Sequence, residues 1–468
     1  MFGDFERDSN IDTPRRQVYT FFHMKRIDIY TIDIGGGHIA PAMALKQQFD
    51  IIGHKDLEVR VVNLGITLGM KFLRYVYKYY WDKALRYPPL VNAFYRGADN
   101  PFMLTVLDRI LGISALPKFV QYLEREKPDL IVSTYFTFTH YLELLKRVGQ
   151  VNAITVVLNP EPFDSHQVWF SGAFDWSMVF SRKSHDEIIE KGLPANRVKV
   201  FPFPIKPSFS QRKESLAALR RRLGLAQKPF TVLFFFGAEG IGPVKKFVTM
   251  LISRGLSMQV VVICGKNEKL RADMTALSMG RTGNVRIAVV GYATNLSEYI
   301  TAADVVVGKS GPNQVFETLQ QGRPIIISSF LANEKETTTW VIQNKVGWLT
   351  RTPAHLATLL AKLSSHPALL KEYLDNVKRL KVRSGAPEIC DFLYGLVKQK
   401  RPAQKPTVGQ TIRRIRDAVV AEMEAADGRK LVRKAGAAKK RTAARKKTAT
   451  RKRAAVAKKA ARKIRRAG

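Results

Sequence analysis

The sequence predicts an α/β chain of two doubly wound domains joined near residue 206 and followed by a disordered basic tail. Three observations carry this. Short β-branched runs alternate with longer amphipathic ones, the pattern of βαβ units around a parallel sheet. The Pro-rich segment "FPFPIKPSFS", Phe201 to Ser210, breaks that alternation and restricts backbone angles, as an interdomain linker does. Near residue 400 the composition turns to Lys, Arg, Ala and Thr, which cannot bury a core. The resulting division is an extension over 1–24, domains over 25–205 and 206–400, and a tail over 401–468.

In the first half the predicted strands are "RIDIYTI", "EVRVVNL", "DLIVST", "AITVVL" and "DWSMVFS". The second half supplies "FTVLFFF", "MQVVVIC", "VRIAVV", "DVVVG" and "PIIISS". Doubly wound sheets bind ligands at the carboxyl ends of their strands, so the loops to search follow each apolar run. Between Gly69 and Phe102 lies an insert dense in Tyr, Phe, Trp, Lys and Arg, a mixture suited to a membrane interface and equally to a helical core with a basic face.

Length and composition bound the function classes. The 468 residues are 46% hydrophobic and 10% aromatic, which reads as globular, and no apolar run reaches the roughly 18 residues of a membrane-spanning helix. The N-terminal stretch is a poor match to a secretory signal, so a cytosolic chain is expected, peripheral on the cytosolic face of a membrane. Cys264 and Cys390 fall inside periodic segments, which argues against disulfides and against a Cys-based metal site. Lys and Arg number 77 against 39 acids, a net charge of +38. Half of that excess, 19 Lys and Arg without one acid, lies in 428–468, where an anionic membrane surface and nucleic acid are both candidate partners.

Three loops could carry chemistry. In "IDIGGGHIAPAMAL" a strand meets a glycine turn and a helix, placing His38 at a helix mouth beside Gly36 and Gly37. In "FFFGAEGIGPVKKFV" a second glycine loop, with Gly240 and Gly242, precedes another helix. In "DVVVGKSGPNQVFETLQQGRP" Ser310, Gly311 and Pro312 open a helix that favours a phosphate, and Glu317 could hold a ribose diol or be an ordinary exposed helix acid. Each loop taken singly is also a plain structural turn.

Together, in this order, the loops resemble the diacylglycerol glycosyltransferases, the family of plant monogalactosyldiacylglycerol synthases and bacterial processive diacylglycerol glucosyltransferases. The likeness runs from about Ile29 to Leu349 through GGGH, "GAEGIGP", "VVICGKNEKL", "GKSGPNQVFE", "HQVWF" and "VKVFPFPIKPSF". It implies a GT-B fold, shared with MurG-type transferases, whose two Rossmann-like domains face a cleft. It further implies inverting transfer of a hexose from a UDP-sugar to a lipid hydroxyl, most simply 1,2-diacylglycerol. The resemblance makes His38 the general base, gives the diphosphate to the Gly240–Gly242 loop and to Ser310, Gly311, Pro312 and Asn313, the ribose to Glu317, and the sugar to Asn333 and Glu334. Gly36, Gly37, His166 and Trp169 would face the acceptor. The sequence departs from the family at Asn159, at Asn333 and in the "GPNQ" turn, which bears on the acceptor and the sugar more than on the class.

The residues make chemical sense without the family. Imidazole is suited to taking a hydroxyl proton near neutrality, and helix-start amides with Lys309 could stabilise the leaving diphosphate. No DxD motif or His/Cys cluster with metal spacing is present, so UDP-sugar is expected as a co-substrate with no metal or other cofactor. Competing readings keep the fold with a lipid-linked peptidoglycan precursor as acceptor, or make nucleic-acid binding by the tail the main role.

Overall fold

The computed structural model describes residues 24–32, 36–69, 116–166, 169–170, 172–210 and 214–399. All ten predicted runs are strands. The first sheet holds β1 (Lys25–Thr31), β2 (Leu57–Asn63), β3 (Leu130–Ser133), β4 (Ile154–Leu158), β5 (Trp176–Val179) and β6 (Val198–Val200) in the order β2-β1-β3-β4-β5-β6. Every pairing in it is parallel. Helices α1 (Gly36–Ile52), α2 (Leu64–Thr67), α3 (Leu116–Glu126), α4 (Phe136–Arg147) and α5 (Arg182–Glu190) belong to this half. β3 and β4 are buried along their whole length, as expected of strands covered on both faces.

The second sheet, also parallel throughout, is built from β7 (Thr231–Phe235), β8 (Met258–Ile263), β9 (Val285–Val290), β10 (Val305–Lys309), β11 (Ile325–Ser329) and β12 (Gly347–Leu349). Its order, β12-β11-β10-β7-β8-β9, is that of a dinucleotide-binding sheet. Its helices are α6 (Leu216–Arg222), α7 (Val244–Ser253), α8 (Glu268–Met279), α9 (Leu296–Ala302), α10 (Pro312–Gln320), α11 (Lys335–Gln343), α12 (Pro353–Ser365) and α13 (Pro367–Leu380). In each sheet the chain order reverses once, between β1 and β3 and between β7 and β10, and such switch points open a crevice at the strand ends.

One boundary differs from the sequence division, which gave the second domain everything to residue 400. The last helix, α14 (Ala386–Val397), instead returns to the first domain and lies against α1 and β1. Cys390 Sγ contacts the Leu45 carbonyl at 3.5 Å, the Tyr394 hydroxyl donates to Asp56 at 2.9 Å, and Phe392 meets the edge of Trp176. The turn that sends it there is tight. A side chain at Gly385 would sit 2.0 Å from the Pro202 carbonyl, and Ser384 Oγ bonds both the amide and the carbonyl of Ile205, at 3.0 and 2.7 Å. Ser384→Ala is therefore expected to cost about 1–2 kcal/mol in urea unfolding by leaving two linker groups unpaired.

The linker itself is core. Phe203 stacks on Phe316 with centroids 4.9 Å apart, and Phe163 stacks on Trp340 at 5.0 Å, so rings from the first domain, the linker and the second domain form one cluster. Helix α1 carries Pro41 in its interior. Proline has no N–H, and an α-helix pairs residue i with the carbonyl of i−4, so the Gly37 carbonyl is left without its intrahelical donor.

Candidate active site

The start of α1 and the segment after β3 meet at the first switch point. His38, in the opening turn of α1, packs its ring against the edge of Tyr135 at 4.9 Å and against Trp169 at 5.4 Å, and Phe136 meets Trp169 edge-on at 5.8 Å. His38 as a residue is only half-buried, yet its Nδ1 is fully enclosed and has no hydrogen-bond partner. Burial pushes the imidazole down to about 4, while the Thr134 backbone pulls the other way. The ring is thus neutral at physiological pH, the form a proton acceptor requires. Trp169 Nε1 is buried, and the His166 carbonyl accepts from the Trp169 amide at 3.1 Å, His166 being 4% exposed.

The second switch point brings together the loops after β7 and β10. The Lys309 side chain lies against Gly237, within 3.5 Å of where a β-carbon would stand. Pro312 is the first residue of α10, and the amides of Asn313 and Gln314 that follow have no intrahelical partner. The Gln314 side chain anchors this start by donating to the Phe235 carbonyl at 2.6 Å. Ser310 is fully buried and its hydroxyl donates to the Glu334 carbonyl at 3.3 Å, so it ties the turn to the start of α11. Glu334 accepts from the Leu331 amide through Oε2 at 3.0 Å, and its Oε1 reaches Gly311.

Glu317 is buried, not the exposed helix acid that its sequence allowed. Burial raises its carboxyl to about 7, and the Lys206 ammonium, 3.8 Å away in the linker, works against that rise. The two glycines of the second loop have structural duties. Gly240 has φ +57° and a β-carbon there would lie 2.0 Å from the Cys264 carbonyl, while one at Gly242 would overlap the Phe236 ring. Their loop packs on the segment after β8, with Asn267 Nδ2 donating to the Gly240 carbonyl at 3.1 Å.

Two contacts cross the cleft at the site. Asn313 Nδ2 donates to the carbonyls of Gly36 and Gly37, at 3.2 and 3.1 Å, one residue from His38. Asn333 Nδ2 donates to Glu161 Oε1 at 2.8 Å. Glu161 is a residue that the sequence reading missed. Its signal was a carboxylate bracketed by Pro160 and Pro162 at the carboxyl end of β4. The base candidate, the donor-loop helix start and the Asn333–Glu334 pair therefore share one cleft.

A family model described as monogalactosyldiacylglycerol (MGDG) synthase matches residues 38–205, and the glycosyltransferase family 28 C-terminal domain matches 238–344. Among curated relatives, monogalactosyldiacylglycerol synthase 2, chloroplastic, of Arabidopsis thaliana is 27% identical over 411 residues, covering 81% of this chain and 82% of the relative. Probable monogalactosyldiacylglycerol synthase 3, chloroplastic, of Oryza sativa subsp. japonica is 28% identical over 360 residues, covering 72% and 68%. Of solved structures, Acinetobacter baumannii MurG superposes with a TM-score of 0.52 at 14% identity, covering 79% of this chain and 99% of that one. Two parallel-sheet domains closing on one cleft, in the arrangement of MurG, are the GT-B fold, and the two family models make the chain a glycosyltransferase. Its first half matches the monogalactosyldiacylglycerol synthase model and its second half the family 28 C-terminal model, and the chain is similar to the monogalactosyldiacylglycerol synthases over most of its length.

Proposed function

We propose that the chain transfers a hexose from a UDP-sugar to the free hydroxyl of 1,2-diacylglycerol at a membrane surface, with inversion at the anomeric carbon. The observation that carries this reading is the placement of a neutral His38 directly across from the helix start of α10, with Asn313 joining the two. His38 takes the hydroxyl proton, the freed oxygen attacks the anomeric carbon, and the bond to the β-phosphate oxygen breaks with its electrons on UDP. The amides at the start of α10 and Lys309 meet the charge on the diphosphate, and no metal ion is assigned a role. Glu317 would hold the ribose, Asn333 and Glu334 the hexose, and the rings of Tyr135, Phe136 and Trp169 the acyl side of the acceptor.

Among the described residues no helix is long and apolar enough to cross a membrane. This fits a lipid acceptor reached from the membrane face. Residues 70–102 of the aromatic insert and the tail from 401, to which the sequence assigns the membrane surface and possible nucleic-acid binding, lie outside the described residues.

The test is transfer from labelled UDP-glucose and UDP-galactose to diacylglycerol in mixed vesicles. Labelled glycolipid supports the reading, while nucleotide binding without lipid product moves the search to a lipid-linked peptidoglycan precursor. The neutral imidazole carries a second expectation. At saturating substrates, turnover should hold as pH falls through 6.5, where an ordinary histidine takes its proton, and be lost only towards about 4. Initial rates between pH 8 and 4, with circular dichroism confirming the fold at each point, check this; an acid limb near 6.5 would contradict it.

A further inference from the structure

Glu161 has features that neither packing nor the roles above explain. It sits at the carboxyl end of β4 in the first domain, is 7% exposed, and is held by Asn333 from the second domain through Oε1. Its other oxygen, Oε2, is buried without a hydrogen-bond partner. A buried polar oxygen left unpaired costs free energy, and such atoms concentrate where a ligand completes the set. The local fold holds the carboxyl rigidly. Pro160 and Pro162 restrict the backbone on both sides, and Asn159 Oδ1 accepts from the Glu161 amide at 3.0 Å.

We propose that Glu161 is a donor-sugar recognition residue contributed by the first domain, in which Asn333 fixes Oε1 and Oε2 binds a hydroxyl of the transferred hexose. This rests on the hexosyltransferase reading above. The neighbouring groups define how it binds. Glu334 and Asp164 face it as like charges and Lys309 as the opposing one, and burial raises its carboxyl to about 8. Lys183, from α5, is engaged nearby with the Phe163 carbonyl and Glu336. At neutral pH Glu161 therefore carries a proton. Since Oε1 accepts from Asn333, the proton resides on Oε2 and is donated to the sugar hydroxyl. A neutral acid beside Glu334 lets two carboxyl side chains share one sugar without mutual repulsion.

The test compares wild type with Glu161→Gln and Glu161→Ala, reading KM for UDP-glucose and UDP-galactose between pH 7 and 9 and the Kd of UDP alone by calorimetry. Glutamine keeps a donor where the protonated oxygen stood; alanine does not. Glu161→Ala is expected to raise KM for the accepted UDP-hexose about tenfold, roughly the worth of one hydrogen bond, with UDP binding unchanged. Raising pH through about 8 should raise KM in wild type, as the donor proton is lost, and leave Glu161→Gln flat. An alanine variant equal to wild type, or one that weakens UDP as much as UDP-hexose, overturns the inference. So does an equal pH response in wild type and the glutamine variant. Wild type that transfers neither hexose removes the underlying reading, and this one with it.

Discussion

His38→Ala is expected to lower transfer by about 10³-fold while leaving the affinity for UDP within about twofold of wild type. The size follows from the role, since a positioned base contributes roughly 10²–10⁴ to proton transfer. The separation of the two effects follows from geometry. His38 belongs to the first domain, packed on Tyr135 and Trp169, whereas the α10 start and Glu317 belong to the second. Single-turnover transfer and UDP calorimetry on the same preparation measure both quantities. A variant that keeps turnover removes His38 as the base, and one that loses UDP binding equally shows that the ring shapes the cleft instead.

The largest stability effect is expected at Gly240. Its φ of +57° costs an alanine about 1–2 kcal/mol by itself, and a β-carbon 2.0 Å from the Cys264 carbonyl forces two packed loops apart. Gly240→Ala should therefore lose at least about 3 kcal/mol of unfolding free energy. Gly255 provides the control. It has nearly the same φ, +63°, with no atom within 4 Å of a β-carbon, so Gly255→Ala should pay the backbone cost alone. Urea unfolding of the two variants measures the difference, and equal losses would mean the loop after β8 yields freely. The comparison also bears on function, because a glycine required by packing need not touch phosphate at all.

The architecture was legible because buried parallel strands are short, continuous and β-branched, and ten such runs stand out between helical stretches. β6 and β12 were not, since three residues each establish no periodicity. The alternation also shows that α14 has an apolar face, Ile389, Leu393 and Leu396 among it, without saying which sheet that face meets. The tight contact of Gly385 with Pro202 settles that, and it joins residues far apart in sequence. At the site, His38 and the α10 start were visible as glycine and proline punctuation beside strand ends. Glu161 carries proline punctuation of the same kind, but what singles it out is a partner 172 residues away and an oxygen with none. Ser310 shows the opposite case: its place in the motif suggested phosphate, yet its hydroxyl is spent on the Glu334 carbonyl.

Pro41 gives the cleft a property that no surface residue supplies. By lacking one hydrogen it leaves α1 with a surplus acceptor at Gly37, and Asn313 brings the matching donor from the other domain at 3.1 Å. The register between the proposed proton acceptor and the donor-side helix is therefore written in a backbone deficit. The chain carries its alignment gauge inside a helix, one turn from the residue whose position it sets.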